Sequence, residues 1–565
     1  MTATTYRRIF PARTFSRWTI ISLLLAVVLI GPILAVFVAA SGDTGGLWRH
    51  LFATVLPRYV ANTLVLMAGV GTLTVLIGVS TAWIVSRWDF PGRSVLQWSL
   101  LLPAAVPAYI VAYTYTDFLE FAGPLQTGLR EVFGWQTKRD YWFPEIRSMP
   151  GAIAVLSLAL YPYVYMMTRM AFRLIPGSFF EVARIHDRNY FRAVALPLAR
   201  PAIAAGVALA LMETVSDFGT VEYFALETLT LGIFNVWLGM NSLPGAAQIA
   251  CVAFLFVIAL LAMETYARGK RQFADTSRRQ TTVSPTRVSG PRAAACVAAC
   301  AAPVLLGFLI PAAILLGFVL EGQSIDDYAR IGEVAMNSVL VALAVAVMVM
   351  TVAVLVIESS FSGNRIARTA TALAATGYAF PGTILAIGVV TFVGFLDDGL
   401  QRLAEGLFQV SYGGITGTIG LVLFACMVRF QAIGHGAVVT GTKRIPPNLV
   451  NAGRVLGRGF AGTLARVVLP LLRSSIFAGG LLVFVDVMKE LPMTLLLRPF
   501  DFDTLATFVY QFAKDELLEE AALPALVIVL AGIGPVILMN AMLANTGRGV
   551  VAGDQGAPRP APRRR

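Results

Sequence analysis

Apolar residues fall in blocks of about twenty along this chain, separated by short polar segments, and the alternation runs through nearly all of its length. About twenty apolar residues in helical form cross roughly 30 Å of hydrocarbon. The pattern therefore predicts an all-α membrane protein with about twelve transmembrane helices. In the first half the spans fall near 18–40, 62–85, 94–116, 151–172, 202–222 and 246–264. In the second they fall near 294–319, 336–357, 371–395, 414–434, 474–494 and 521–543. Proline interrupts the third span of each half, at Pro107 and Pro381, and predicts a kink there.

The polar segments divide by charge. Those at 86–93, 173–200, 265–292, 358–370 and 436–473 carry an Arg and Lys excess, whereas those at 321–335, 396–413 and 500–520 are rich in Asp and Glu. The positive-inside rule places the basic set, and both termini, in the cytoplasm. The first apolar run follows a basic N-terminus but is too long for a cleavable leader, so it reads as an uncleaved span.

The two halves repeat. Asn62 matches Asn337 at an offset of 275, Pro107 matches Pro381 at 274, and Leu196-Pro197 matches Leu469-Pro470 at 273. Each half has an even number of spans, so the repeats run parallel, related by an axis along the membrane normal. The chain divides into a first half at 1–264, a basic linker at 265–292, a second half at 293–545 and an Arg-rich tail at 546–565 that reads as disordered.

Composition adds exclusions. At 57% hydrophobic and 13% charged, the chain is too apolar for a soluble enzyme with one anchor. The net charge of +12 could suggest nucleic acid, but the basic residues gather beside spans, as in Arg7, Arg8, Arg13 and Arg17, and no nucleic-acid module accompanies them. The surrounding partner is lipid. Cys251, Cys296, Cys300 and Cys426 lie in apolar runs and read as packing residues, and His50, His186 and His435 are scattered, so a permanent metal site is not expected.

Two basic segments hold a second repeat, at 175–201 and 445–473. Each opens with Ile-Pro, closes near Leu-Pro, and mixes apolar and basic residues at helical spacing, which predicts amphipathic helices at the cytoplasmic face. On these residues the loops resemble the EAA loops of binding-protein-dependent ABC transporter permeases, whose pattern begins Glu-Ala-Ala, has Gly six residues later and ends Leu-Pro. The first copy supplies Glu181, Ala183, Leu196 and Pro197, with Asp187 at the Gly position; the second supplies Gly457, Leu469 and Pro470, with Asn451 at the Glu position.

The resemblance implies a type I ABC importer permease fold with two fused six-helix halves. It also implies that the loops dock into a separate, homodimeric ATPase, which would carry the ATP and Mg, and that a periplasmic binding protein delivers the substrate. The chain itself has no GxxxxGK[ST] phosphate loop, so neither ATP hydrolysis nor a bound cofactor is expected of it. The first copy is about three residues shorter between Ile-Pro and Leu-Pro, nearly one helical turn, which predicts asymmetric coupling.

An acid stands sixteen residues after each motif proline, Glu213 and Asp486, and another four residues later, Asp217 and Glu490, again at offset 273. Spacing of four puts each pair on one helix face near mid-span, where a charge costs on the order of 2.5–3.5 kcal/mol and faces a bundle interior or a watery path. Two readings compete: a translocation pathway, or acids held structurally by cations such as Arg429 and Lys489. Carboxylates suit a hard cation. The stretches METVSDFGTVEYF and KELPMTLLLRPFDFDTLATFVY, with the fused layout, look like ferric iron permeases. That implies Fe(III) in transient contact with Glu213, Asp217, Asp486 and Glu490, in a bacterial inner membrane. Fused thiamine and polyamine permeases are the rivals within the family; a secondary transporter, or an intramembrane enzyme without a companion catalytic motif, is the rival outside it.

Overall fold

The computed structural model describes residues 17–175, 189–268, 285–322, 327–357, 365–408, 413–443 and 445–534, with 179, 181, 183, 185, 186, 536 and 537 besides. Apolar stretches whose backbone polar groups must be satisfied internally become helices. Twelve helices frame the chain: α1 (Arg17–Ala40), α2 (Leu56–Arg87), α3 (Ala108–Leu119), α4 (Met149–Arg173), α5 (Leu196–Ser216) and α6 (Leu243–Arg268) in the first half. The second half has α7 (Pro291–Leu320), α8 (Tyr328–Leu355), α9 (Gly382–Phe408), α10 (Ile419–Thr442), α11 (Leu469–Met488) and α12 (Ala522–Gly534).

Among the described residues ten helices are long and apolar enough to cross a membrane, and an eleventh span forms if a bent pair is counted as one. The count of about twelve differs at two places. The third span of the first half is that pair, Arg93–Ala105 and Ala108–Phe133, bent by 91°. The last span is described only as the shorter α12, and 538–543 lie outside the described residues.

Proline explains the breaks. Pro107 and Pro381 each follow a short 3-10 turn, Leu102–Ala105 and Gly377–Ala379, and each stands just before the first residue of the helix that follows, α3 and α9. A proline there lacks the donor that a continuous helix would need, and it biases the preceding residue to extended backbone, as at Val106 and Phe380. Pro197 and Pro470 are accommodated differently. A π-helical turn, Phe191–Ala195 or Leu464–Val468, precedes each and shifts the hydrogen-bond register, so the helix runs on into α5 or α11.

The repeat also explains Asn62 and Asn337. Asn62 Nδ2 donates to the Glu227 carbonyl at 3.0 Å, and Asn337 Nδ2 donates to the Asp503 carbonyl at 3.3 Å. The next residues accept from the same loops: Thr63 Oγ1 from Leu229 N–H at 3.1 Å, and Ser338 Oγ from Leu505 N–H at 2.6 Å. Each half thus ties its second span to the loop after its fifth with two equivalent bonds.

The halves are interlocked. The first span of each crosses to the third segment of the other: α1 packs along α9, and α7 packs on α3 and the turn before it. Gly388 lets α9 approach the Pro32 carbonyl, and Tyr115 Oη on α3 donates to the Leu306 carbonyl. Arg147 joins the halves at one end of the bundle, pairing with Glu120 at 2.6 Å and Glu516 at 2.8 Å. The linker is tied at its far end, where Thr286-Arg287 pairs in parallel with Trp88-Asp89. Outward faces remain apolar, as at Leu24, Leu64, Leu76, Leu343 and Phe477, and suit lipid contact.

Candidate translocation cavity and coupling loops

Glu213, Asp217, Asp486 and Glu490 come together around one cavity of about 130 Å³ between the halves. The cavity lies where helices stop. The backbone breaks at Pro107 and at residues 217–218 and 489–491, so half-helix ends rather than continuous walls surround it. Irregular backbone at membrane depth is tolerated where protein or a water-filled cavity satisfies it.

The expectation of acids at mid-span on one helix face is corrected here. Helix α5 ends at Ser216 and α11 at Met488, so Glu213 and Asp486 stand in last turns, and Asp217 and Glu490 lie beyond the helices. The physical reason is capping. Asp217 Oδ1 accepts from the N–H groups of Thr220 at 3.0 Å and Val221 at 3.2 Å, and its Oδ2 accepts from Thr220 Oγ1 at 3.1 Å. Glu490 Oε1 accepts from Met493 N–H at 3.0 Å, and Oε2 from Thr494 N–H at 3.0 Å and Thr494 Oγ1 at 2.9 Å. Each acid thereby satisfies the orphan donors opening a short helix, Gly219–Tyr223 or Pro492–Leu497. Thr220 and Thr494 were the missed signal: an acid followed three or four residues later by Thr marks such a turn.

The cations are not shared equally. Arg429 Nη1 lies 3.3 Å from Glu490 Oε1, with both side chains at least nine-tenths buried, and Lys489 Nζ lies 3.0 Å from Asp486 Oδ1. At the matching positions of the first half stand Ala159 (offset 270) and Ser216 (offset 273), which line the same cavity. Among the described residues, neither Glu213 nor Asp217 forms an ion pair within 4 Å. Glu213 instead faces Tyr378, which also approaches Tyr163. Two buried donors at the cavity, Tyr109 Oη and Arg429 Nε, have no hydrogen-bond partner among the described residues. Among the described residues no three His, Cys, Asp or Glu side chains are grouped closely enough to hold a metal ion.

The basic loops form at the other functional end. In the second, helix Pro447–Val455 lays Val450 on a buried apolar cluster with Ile445, Leu464, Val468 and Leu472. Asn451 lies in this helix, which ends at Val455, and the chain turns away at Gly457, whose φ of +76° suits glycine. The Arg458 N–H returns to the Gly453 carbonyl at 3.1 Å, the bond of a Schellman-type stop. In the first loop Glu181 is helical and exposed, Ala183 is buried, and Asp187 lies outside the described residues. Leu196-Pro197 and Leu469-Pro470 open α5 and α11, the helices that end at the cavity acids. One rigid element therefore joins each loop to one pair of acids.

Residues 74–272 match the family described as binding-protein-dependent transport system inner membrane component. The chain is 22% identical over 538 residues to the Fe(3+)-transport system permease protein FbpB 2 of Haemophilus influenzae, covering 92% of this chain and 97% of that one. It is also 26% identical over 274 residues to the sulfate transport system permease protein CysT of Salmonella typhimurium, covering 46% of this chain and 94% of that one. The molybdenum transport system permease protein ModB of Escherichia coli is 25% identical over 207 residues, covering 35% of this chain and 87% of that one. The likeness to a full-length relative extends across both halves, and the shorter relatives match about one half.

Proposed function

Given that this chain is an inner-membrane permease of a binding-protein-dependent ABC transporter, with two permease halves in one polypeptide, we propose that it carries ferric iron across the membrane between those halves. Such a permease works with a binding protein outside and an ATPase inside. The observation that carries the iron reading is the cavity: four carboxylates against two cations leave it acidic, and hard oxygen donors suit a hard trivalent ion. The full-length likeness to a ferric permease agrees with that chemistry.

The two loops receive a homodimeric ATPase, one loop per subunit, with Glu181, Ala183, Leu196 and Pro197 at one dock and Asn451, Gly457, Leu469 and Pro470 at the other. ATP and Mg stay on that partner. Its closure moves α5 and α11 as levers and opens or shuts the cavity at their far ends. Both termini lie in the cytoplasm with the loops, as the basic segments argue. Iron is cargo in transit, held by no permanent site.

A second reading has its own support. Arg429, Lys489 and the unpartnered donors at the cavity would suit an oxyanion, and the shorter relatives carry sulfate and molybdenum names. Uptake decides. Cells with the permease, its ATPase and its binding protein should accumulate radiolabelled Fe(III), and deletion of the permease alone should abolish this, with thiamine or sulfate in excess making no difference. Sulfate uptake, or thiamine uptake, in place of iron would keep the architecture and replace the substrate.

A further inference from the structure

The cavity repeats its acids but not its cations. Asp486 and Glu490 have their equivalents in Glu213 and Asp217, whereas Lys489 stands where the first half has Ser216. The Lys489 backbone is the C-cap of α11, but its side chain does not cap the following turn, whose donors Glu490 already receives. Its ammonium pairs with Asp486 at 3.0 Å and also lies close enough to Glu213 and Tyr163 to interact with both. It is the last-turn residue's neighbour at a helix break, where a flexible four-carbon stem can swing without disturbing a continuous helix.

We propose that Lys489 is a tethered competitor for the substrate cation: it occupies Asp486 when the cavity is empty and yields that carboxylate when cargo arrives, while Glu213 makes the first contact. This rests on the cation reading above. A compact monovalent ammonium is displaced by a multivalent hard ion that can bridge Glu213 and Asp486, but not by a weakly binding monovalent one, so the lysine sets a threshold of charge for entry. It also supplies release. Once the halves separate, Lys489 reclaims Asp486 and returns the cavity to its empty state. Arg429 differs: its pair with Glu490 is buried and locked to the capped turn, so it holds structure rather than exchanging.

Terbium(III) bound to the full chain in lipid nanodiscs tests this, because tyrosines sensitise its luminescence and Tyr109, Tyr163 and Tyr378 line the cavity. Lys489→Met should bind Tb(III) about tenfold more tightly, the factor equivalent to about 1.4 kcal/mol of lost competition. Asp486→Asn with Lys489→Met removes the contested carboxylate together with its competitor, and should abolish the tenfold gain because the ion can no longer bridge Glu213 and Asp486. Glu213→Gln should lose most of the cavity signal. Normal Tb(III) luminescence in Glu213→Gln would overturn the underlying reading of an acid-lined cation path. A Glu213-dependent signal whose affinity is unmoved by Lys489→Met would sink the competitor role alone. A lysine that only supports the fold would lower thermal stability in Lys489→Met and leave Tb(III) affinity where it was.

Discussion

The two walls of the cavity carry the same acids in different surroundings. On the second-half wall Glu490 is buried against Arg429, and Asp486 is paired with Lys489. On the first-half wall Asp217 meets only a helix start, and Glu213 faces tyrosine. Duplication explains why the acids recur; it does not explain why the cations are confined to one half. The difference separates two duties. A buried charge with a partner is held in place, because removing either member strands the other. A carboxylate with no cation within 4 Å among the described residues is free of that constraint. On the proposed cation path, the second wall is the fixed one and the first is the receptive one.

The largest expected effect breaks the fixed wall. Arg429→Met should destabilise the protein by about 3–5 kcal/mol by leaving Glu490 buried and unpaired, read as a lowered midpoint in thermal unfolding of the detergent-solubilised protein. Ala159→Met, at the matching position of the first half, changes volume only and should cost about 1–3 kcal/mol. Equal losses for the two would mean that packing rather than charge distinguishes the walls.

A transplant sharpens the comparison next. Ser216→Lys gives the first wall the lysine of the second, and should lower iron uptake about tenfold at unchanged membrane expression, the scale of a single ion pair of about 1.4 kcal/mol. Full uptake by this variant would show that Glu213 is not the receptive acid. Asp217→Ala should cost about 1 kcal/mol as a lost cap, and Glu490→Ala clearly more, since Arg429 would also be stranded. The loops are tested separately: Gly457→Ala forces a side chain into left-handed backbone at about 1–2 kcal/mol, and should weaken binding of the ATPase subunit in a pull-down.

Much of the architecture was legible because the membrane imposes a period that composition cannot hide. Most spans overlapped their helices, although the one expected at 371–395 straddles the break at Pro381 and α9 runs on to Phe408, and the offset of 273–275 led directly to equivalent parts, such as the Asn62 and Asn337 ties. The helix breaks were harder to place. The spans expected at 202–222 and 474–494 run past the ends of α5 at Ser216 and α11 at Met488, because the acids that follow turn the backbone into the cap of a new short helix. The acids were found by their spacing, but their roles depended on Ala159 and Ser216, which attract no notice in a sequence. Arg429 was named as a partner for an acid; which acid it meets depends on a contact between residues 61 apart. The turn that accommodates each Leu-Pro motif left no signal beyond the proline itself.

The crossing of first spans has a consequence for how the protein is made. Helix α3 meets its partner α7 only after residues up to about 320 have entered the bilayer, while α1 must wait for α9. During synthesis the first half therefore sits in the lipid with its third segment still lacking α7, and with its first helix packed on α6 but not yet on α9. Biogenesis cannot proceed as two finished modules laid side by side. The order of insertion, rather than any hinge between halves, decides when the passage first exists, and a ribosome that stalls in the linker leaves an orphan for quality control instead of a working half.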